Sequence, residues 1–387
     1  QFDSIDLAED RERFKKILIK ENLKQAESGI ARNKKESFKI ANKIGFPIVI
    51  RPSYVLGGRG MEIIYSQSDL KKYIDEAVKV SGSNPVLIDR FLNDATEVDV
   101  DAICDGKSVF VAGIMEHIEE AGIHSGDSTC FIPTQNIPKE ILKKVDEQTK
   151  IIGIGLNIVG CFNIQFAIQD NELYVLEVNP RSSRTVPFVA KATGIPLAKI
   201  SAKTTLGVEI SNQLIPEPTK GHVCVKAPVF PFIKLVGLDP APGPEMKSTG
   251  EVMGSDTTAE MAYLKARLAT EIPVATSGGV YLTVRDEDKQ DLLPIARNLE
   301  NMGFELFATP GTADILRKNS INVNTAFRIH EKGHPDALDL MHQGKIKFIF
   351  NVPTISGGAV RDLSLIHISE PTRRRGVSYA VFCLKKK

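Results

Sequence analysis

Residues 161–185, CFNIQFAIQDNELYVLEVNPRSSRT, read as a β-hairpin followed by a turn carrying two arginines. Along 161–167 the period of two sets Phe162, Ile164 and Phe166 on one face and Asn163 and Gln165 on the other. Along 173–179, Tyr174, Leu176 and Val178 face away from Glu177 and Asn179. The register hangs on the loop. A three-residue loop, Asp170-Asn171-Glu172, places Gln165 opposite Glu177, whereas a two-residue loop puts them on opposite faces. With the odd loop, one carboxylate and two or three amide oxygens converge on one patch. Such a patch suits Mg2+ or Mn2+, hard cations that take carboxylates together with nucleotide phosphates. A solvated sheet face with satisfied amides would use the same residue types.

The residues after Asn179 favour the metal. Pro180-Arg181-Ser182-Ser183-Arg184-Thr185 sets two guanidinium groups directly beyond the candidate ligands. Each is a rigid, permanently charged fork for carboxylate or phosphate oxygens. Phosphoryl transfer asks for this combination, metal bridging the phosphates and cations over the transferring oxygens.

Outward from the hairpin, spacing predicts helices over 9–28, 34–44, 69–80 and 138–156, and strands over 46–51, 61–65, 86–92, 96–104 and 108–115. The strand at 46–51 delivers Arg51 to its end, before the glycine-rich turn 57–60. Asp99 and Asp101 alternate with Val98 and Val100 and read as the wet face of their strand. Residues 211–271, dense in Pro and Gly from 215 to 254, read as a connecting segment. From Gly279 onward, strand and helix alternate as in a parallel sheet covered by helices.

Composition narrows the function. Lys+Arg number 49 against 48 for Asp+Glu, so no basic field recruits nucleic acid or an anionic membrane. The five cysteines are far apart and form no C-x-x-C pair, which argues against a zinc site or disulfide framework and for a cytoplasmic setting. The longest apolar runs are too short to span a bilayer, and the chain shows no secretion signal. It opens without Met and reads as a fragment.

Glu177-Val178-Asn179-Pro180-Arg181 with Arg184 resembles the metal-binding motif of ATP-grasp enzymes. Residues 51–59 (RPSYVLGGR), 121–128 (AGIHSGDS) and 243–251 (GPEMKSTGE) narrow the match, over 6–361, to the carbamoyl-phosphate-forming half of the carbamoyl phosphate synthetase large subunit. The resemblance implies an α/β and α+β architecture, an ATP-grasp domain over 1–210 and a small Rossmann-like, methylglyoxal-synthase-like domain over 272–362. It also implies roles. Arg51 and Arg59 contact the ATP phosphates. Arg90, Leu92 and Glu97 line the adenine and ribose pocket, and Gly122, Ile123, His124 and Ser125 lie along the nucleotide. Gln165, Glu177 and Asn179 hold the metals, Gln165 and Glu177 also touching ATP. Arg181 and Arg184 serve the carbamate substrate or the transferring phosphate.

Thr309, Thr312, Lys289 and Arg328 are the implied phosphate site for a nucleotide effector, at a helix N-terminus. Glu119, Asp127 and Glu245 are candidates for the amines of ornithine. Implied partners are a glutaminase small subunit or domain and the missing N-terminal half of the large subunit. Other ATP-grasp ligases or carboxylases, and a non-catalytic nucleotide-binding fragment, are the alternatives. Residues 363–387 resemble a translated sequencing adapter and are expected to pack poorly, with at most a locally permitted strand near 379–384.

Overall fold

The computed structural model describes residues 2–52, 58–81, 85–231, 242–270, 274–331, 333–352 and 380–382. They form two compact units, one of residues 1–230 and 242–266, the other of 231–241 and 267–387.

The first unit opens with α1 (Phe2–Glu9) and α2 (Arg11–Lys20). The helix expected over 9–28 is shorter than that: the Asp10 carboxylate accepts from the N–H groups of Glu12 and Arg13 and starts α2, which ends at Lys20, and residues 21–27 lead without helix to a strand that begins at Ser28. A four-stranded sheet comes next, built from β1 (Ser28–Ala31), β2 (Ile48–Pro52), β3 (Glu62–Ile64) and β4 (Val86–Arg90) in the order β1-β4-β2-β3. It is backed by α3 (Lys34–Ile44) and α4 (Gln67–Ser81). Ile48, Ile50, Ile64 and Ile88 make the core of this layer.

The larger sheet has seven strands. Five of them are β5 (Thr96–Asp105), β6 (Val109–Glu120), β7 (Cys130–Ile132), β8 (Val159–Gln169) and β9 (Glu172–Asn179). Val98, Val100, Phe162, Ile164 and Phe166 point to one face and pack with Ile141, Val145 and Ile152 of α5 (Lys139–Gly155). At one end of the other face, Ile103 and Met115 pack with residues of α6 (Val186–Thr193) and α7 (Leu197–Thr205).

The expected connecting segment contributes to the larger sheet. β10 (Val223–Val229) and β11 (Gly250–Asp256) add two strands in the order β11-β10-β7-β6-β5-β8-β9. Apolar alternation at Val223, Val225 and Ala227 packs against Ala262 and Ala266 of α8 (Ala259–Ala269), which outweighs the local Pro and Gly density.

The second unit holds a five-stranded, all-parallel sheet: β12 (Gly279–Val284), β13 (Glu305–Ala308), β14 (Asn324–Thr325), β15 (Ile346–Val352) and β16 (Ala380–Phe382), ordered β14-β13-β12-β15-β16. Helices α9 (Lys289–Asn301), α10 (Pro310–Lys318) and α11 (Ala337–His342) cover it. Within the tail, Ala380–Phe382 runs parallel to Phe348–Phe350, while 363–379 and 383–387 lie outside the described residues.

Candidate functional site

The hairpin reaches the useful register by an unexpected route. Gln169 pairs with Glu172, so the loop is two residues, and Asp170 and Asn171 both take left-handed φ, +52° and +61°. An even loop alone would turn Gln165 and Glu177 to opposite faces. Between Gln165 and Phe166 the register slips: Phe166 pairs with Val175 but Gln165 with Glu177, leaving Leu176 as the extra residue of a β-bulge. The expected three-residue loop is thus replaced by a two-residue turn plus a bulge. Asn163 then pairs with Asn179.

Around this face, polar side chains hold one another. Asn179 Nδ2 donates to Glu177 Oε1 at 3.0 Å, and Arg181 donates to Asn179 Oδ1 at 3.2 Å. Gln165 Nε2 donates to Ser125 Oγ at 2.9 Å, which leaves Oε1 as the ligand atom its amide can offer. From the smaller sheet, Arg51 reaches to 3.8 Å from Glu177 and 3.2 Å from Asp89. Burial raises Asp89 above the usual carboxylate range, and the Arg51 charge partly offsets this. Arg51 Nε is buried with no hydrogen-bond partner among the described residues.

These groups share a cavity of about 280 Å3, lined also by Arg90, Leu92, Glu97, Gly122, Ile123, His124, Ser125 and Arg181. Arg59 and Arg184 are not among its lining residues. Arg59 is exposed on its turn. Arg184 is held between Met246 Sδ, 2.7 Å away, and Glu251, 3.4 Å away.

The loop 122–128 is fastened down. Gly122 N–H donates to Glu97 at 2.9 Å, His124 N–H to the Gly243 carbonyl at 2.8 Å, and Ser248 Oγ to the Gly126 carbonyl at 2.9 Å. Asp127 accepts from the N–H groups of Lys247 and Ser248, both at 2.8 Å. Burial lowers His124 below the usual imidazole range. Glu119 accepts from the N–H and hydroxyl of Thr129. Glu245 accepts from Gly60 N–H at 3.3 Å.

Sequence reasoning missed the acids and bases beneath this surface. Asp99 and Asp101 do not form a wet face; each is 1% exposed. Asp101 accepts from Asn163 Nδ2 at 3.0 Å, Ser183 Oγ at 2.7 Å and Thr185 Oγ1 at 2.6 Å, tying the arginine-bearing turn to the sheet. Burial pushes Asp101 up to about 6 against the pull of those hydrogen bonds. His117 lies 3.3 Å from Asp99 and 3.5 Å from Glu97; burial pulls it down, but Cys130, Asp99 and Glu97 together raise it well above the usual range. Buried Lys226 donates to the Ser125 carbonyl at 2.9 Å. Its signal was in the sequence, as the single charge within the apolar run 223–229.

In the second unit, Thr309 occupies the N-cap position of α10, but its hydroxyl donates to Thr312 Oγ1 at 3.1 Å and caps no backbone N–H. The two buried hydroxyls pair with each other instead of capping the helix. Lys289 Nζ pairs with Asp286 at 2.6 Å and lies beside Gly311, 2.9 Å from where a Cβ would stand. Arg328 adds its charge to that of Lys289 in lowering Asp286.

Comparison with known proteins gives the same architecture. The family described as carbamoyl-phosphate synthase L chain, ATP binding domain, matches residues 10–213, and an MGS-like domain matches 291–375. The chain is 49% identical over 381 residues to a carbamoyl phosphate synthase large chain from Archaeoglobus fulgidus, covering 98% of this chain and 35% of the relative. It is 49% identical over 362 residues to the C-terminal section of that enzyme's large chain from Methanocaldococcus jannaschii, covering 90% of this chain and 58% of the relative. It thus spans between about a third and three fifths of these relatives. The biotin carboxylase domain of Hydrogenobacter thermophilus 2-oxoglutarate carboxylase, solved with MgADP and bicarbonate, superposes with a TM-score of 0.55 at 16% identity, covering 69% of this chain and 66% of that one, a likeness of fold. With more than half its length matched by that ATP-binding model, the chain belongs to the carbamoyl-phosphate synthase large-chain family and has the ATP-grasp fold.

Proposed function

We propose that this chain phosphorylates carbamate with ATP, forming carbamoyl phosphate and ADP with Mg2+ or Mn2+. One observation carries the reading: Gln165 pairs with Glu177, with Asn179 and Arg181 hydrogen-bonded beyond them, in a cavity that Arg51 also lines. One carboxylate and two amides form an oxygen donor set that fits a hard divalent cation, held by Gln165, Glu177 and Asn179. Bound there, the metal would neutralise charge on the phosphates.

The remaining work falls to the chain's own residues. A carbamate oxygen attacks the γ-phosphorus as the bond to the bridging oxygen breaks, and ADP carries that charge away. Arg51 binds the phosphates and Arg181 orients carbamate and the transferring phosphoryl group, both from the cavity wall. Arg59 and Arg184, outside that wall, take the same partners on the family resemblance alone. Carbamate decomposes in water, so the fastened loop 122–128 would serve by excluding solvent.

The fuller role rests on the family resemblance read from the sequence. This chain acts in the cytoplasm beside the rest of a large chain and a glutaminase small subunit or domain, feeding pyrimidine and arginine synthesis. Lys289, Thr309, Thr312 and Arg328 bind the phosphate of a nucleotide effector. An ornithine site at Glu119, Asp127 and Glu245 is less well supported, since both Asp127 oxygens are taken by backbone N–H groups. The test is ATP formation from carbamoyl phosphate and MgADP by the purified chain. ATP production supports the reading; MgATP binding without ATP production leaves a nucleotide-binding regulatory piece instead.

A further inference from the structure

We propose that Gln25 is a specificity-determining residue that donates a hydrogen bond to the nucleotide base, an inference that rests on the ATP reading above. Among the side chains lining the cavity, two carry buried polar nitrogens with no hydrogen-bond partner among the described residues, Arg51 and Gln25. Burying a donor unpaired costs more than an ordinary hydrogen bond gains, so such an atom in a cavity wall points to a ligand acceptor.

The two orphans serve different ends of one ligand. Arg51 lies beside Glu177 at the charged end. Gln25 sits on the segment between α2 and β1, which is pinned on both flanks. Val175 N–H donates to the Lys24 carbonyl and Arg90 N–H to the Glu27 carbonyl, both at 2.8 Å. Arg51 pairs across the sheet with Leu87, three residues along β4 from Arg90. At a strand's rise that is about 10 Å, the scale that separates a base from its phosphates. Next to Gln25, Ala26 packs with Leu92, Ala121, Ala167 and Leu176, an apolar patch suited to a flat ring. A neutral amide donor beside apolar walls matches a purine ring nitrogen.

Equilibrium binding of MgATP and its 1-deaza, 3-deaza and 7-deaza analogues tests this on the full chain and on Gln25→Ala. One analogue, lacking the acceptor, should bind the unmodified chain roughly three- to tenfold more weakly than ATP. That penalty should vanish in Gln25→Ala, which should itself bind ATP correspondingly more weakly. Gln25→Glu, which keeps the shape and removes the donor, should show the same loss, so the test survives a poorly folding alanine variant. A chain that binds ATP and all three analogues alike, or an analogue penalty that persists in both variants, overturns the assignment to Gln25. A chain that binds no adenine nucleotide at all overturns the ATP reading and this inference with it.

Discussion

Asp101 and Thr185 are 84 residues apart in sequence, yet their side-chain oxygens meet at 2.6 Å. With Ser183 and Asn163 on the same carboxylate, this buried acid fixes the turn that carries Arg181 and Arg184. Asp101→Ala should cost roughly 2–4 kcal/mol by leaving buried donors unpaired, and should lower kcat for phosphotransfer more than it weakens ATP binding. Chemical denaturation and steady-state kinetics check both. The pH dependence has a definite sign. Asp101 is raised to about 6 in the folded chain, against about 3.9 when unfolded. Between those values the unfolded chain gives up the proton first, so this group's contribution to stability falls as pH rises from about 4 to 6 and is level above. Melting curves of Asp101→Asn should lack that component.

Glu177→Ala should abolish phosphotransfer, by at least roughly a hundredfold if the metal is lost. The fold should survive, since the Glu177 side chain is 40% exposed. Circular dichroism alongside ATP-synthesis assays separates the two effects. Undiminished activity would remove Glu177 from the ligand set.

Gly58 has φ +67°, and a Cβ there would come within 2.0 Å of the Pro244 carbonyl oxygen. Gly58→Ala should therefore displace the glycine-rich turn from the 243–248 segment, raising KM for ATP severalfold and costing about 1–3 kcal/mol of stability. Hydrogen exchange should quicken at Gly60 and Met61, whose N–H groups donate to Glu245 and the Gly58 carbonyl. An unaltered KM would show the turn to be dispensable for nucleotide binding.

In the second unit, Lys289→Ala should weaken binding of a phosphate-bearing effector and flatten its salt dependence, as expected when one cation is removed from a phosphate contact. Thr312→Ala should also weaken binding, while leaving the salt dependence as it was. Effector titrations at two ionic strengths read out both. Equal affinity in all three proteins would move the effector elsewhere.

Much of this was legible in sequence because period-two alternation survives tertiary packing: Phe162, Ile164 and Phe166 all reach the core, and the parallel order of the second unit matches its strand–helix alternation. The route to the Gln165–Glu177 pairing was not legible. The bulge at Leu176 lets both Val175 and Val178 reach the core, and no local residue signal marks it. The burial of Asp99 and Asp101 was hidden for a related reason. Their hydrogen-bonding partners Asn163, Ser183, Thr185 and His117 come from other strands and turns, and an acid without visible partners reads as solvated. Residues 223–256 misled through composition, their Pro and Gly content masking two strands of the larger sheet.

Arg51 stands 3.2 Å from Asp89 and 3.8 Å from Glu177, so one guanidinium lies between two carboxylates. Loading on the proposed scheme is then an exchange of partners. A cation held by Gln165, Glu177 and Asn179 would share the Glu177 charge now facing Arg51, leaving more of that guanidinium for the phosphates. On the proposed scheme a nucleotide without its metal would compete with Glu177 for Arg51, so the site would take the metal complex in preference to the bare polyphosphate.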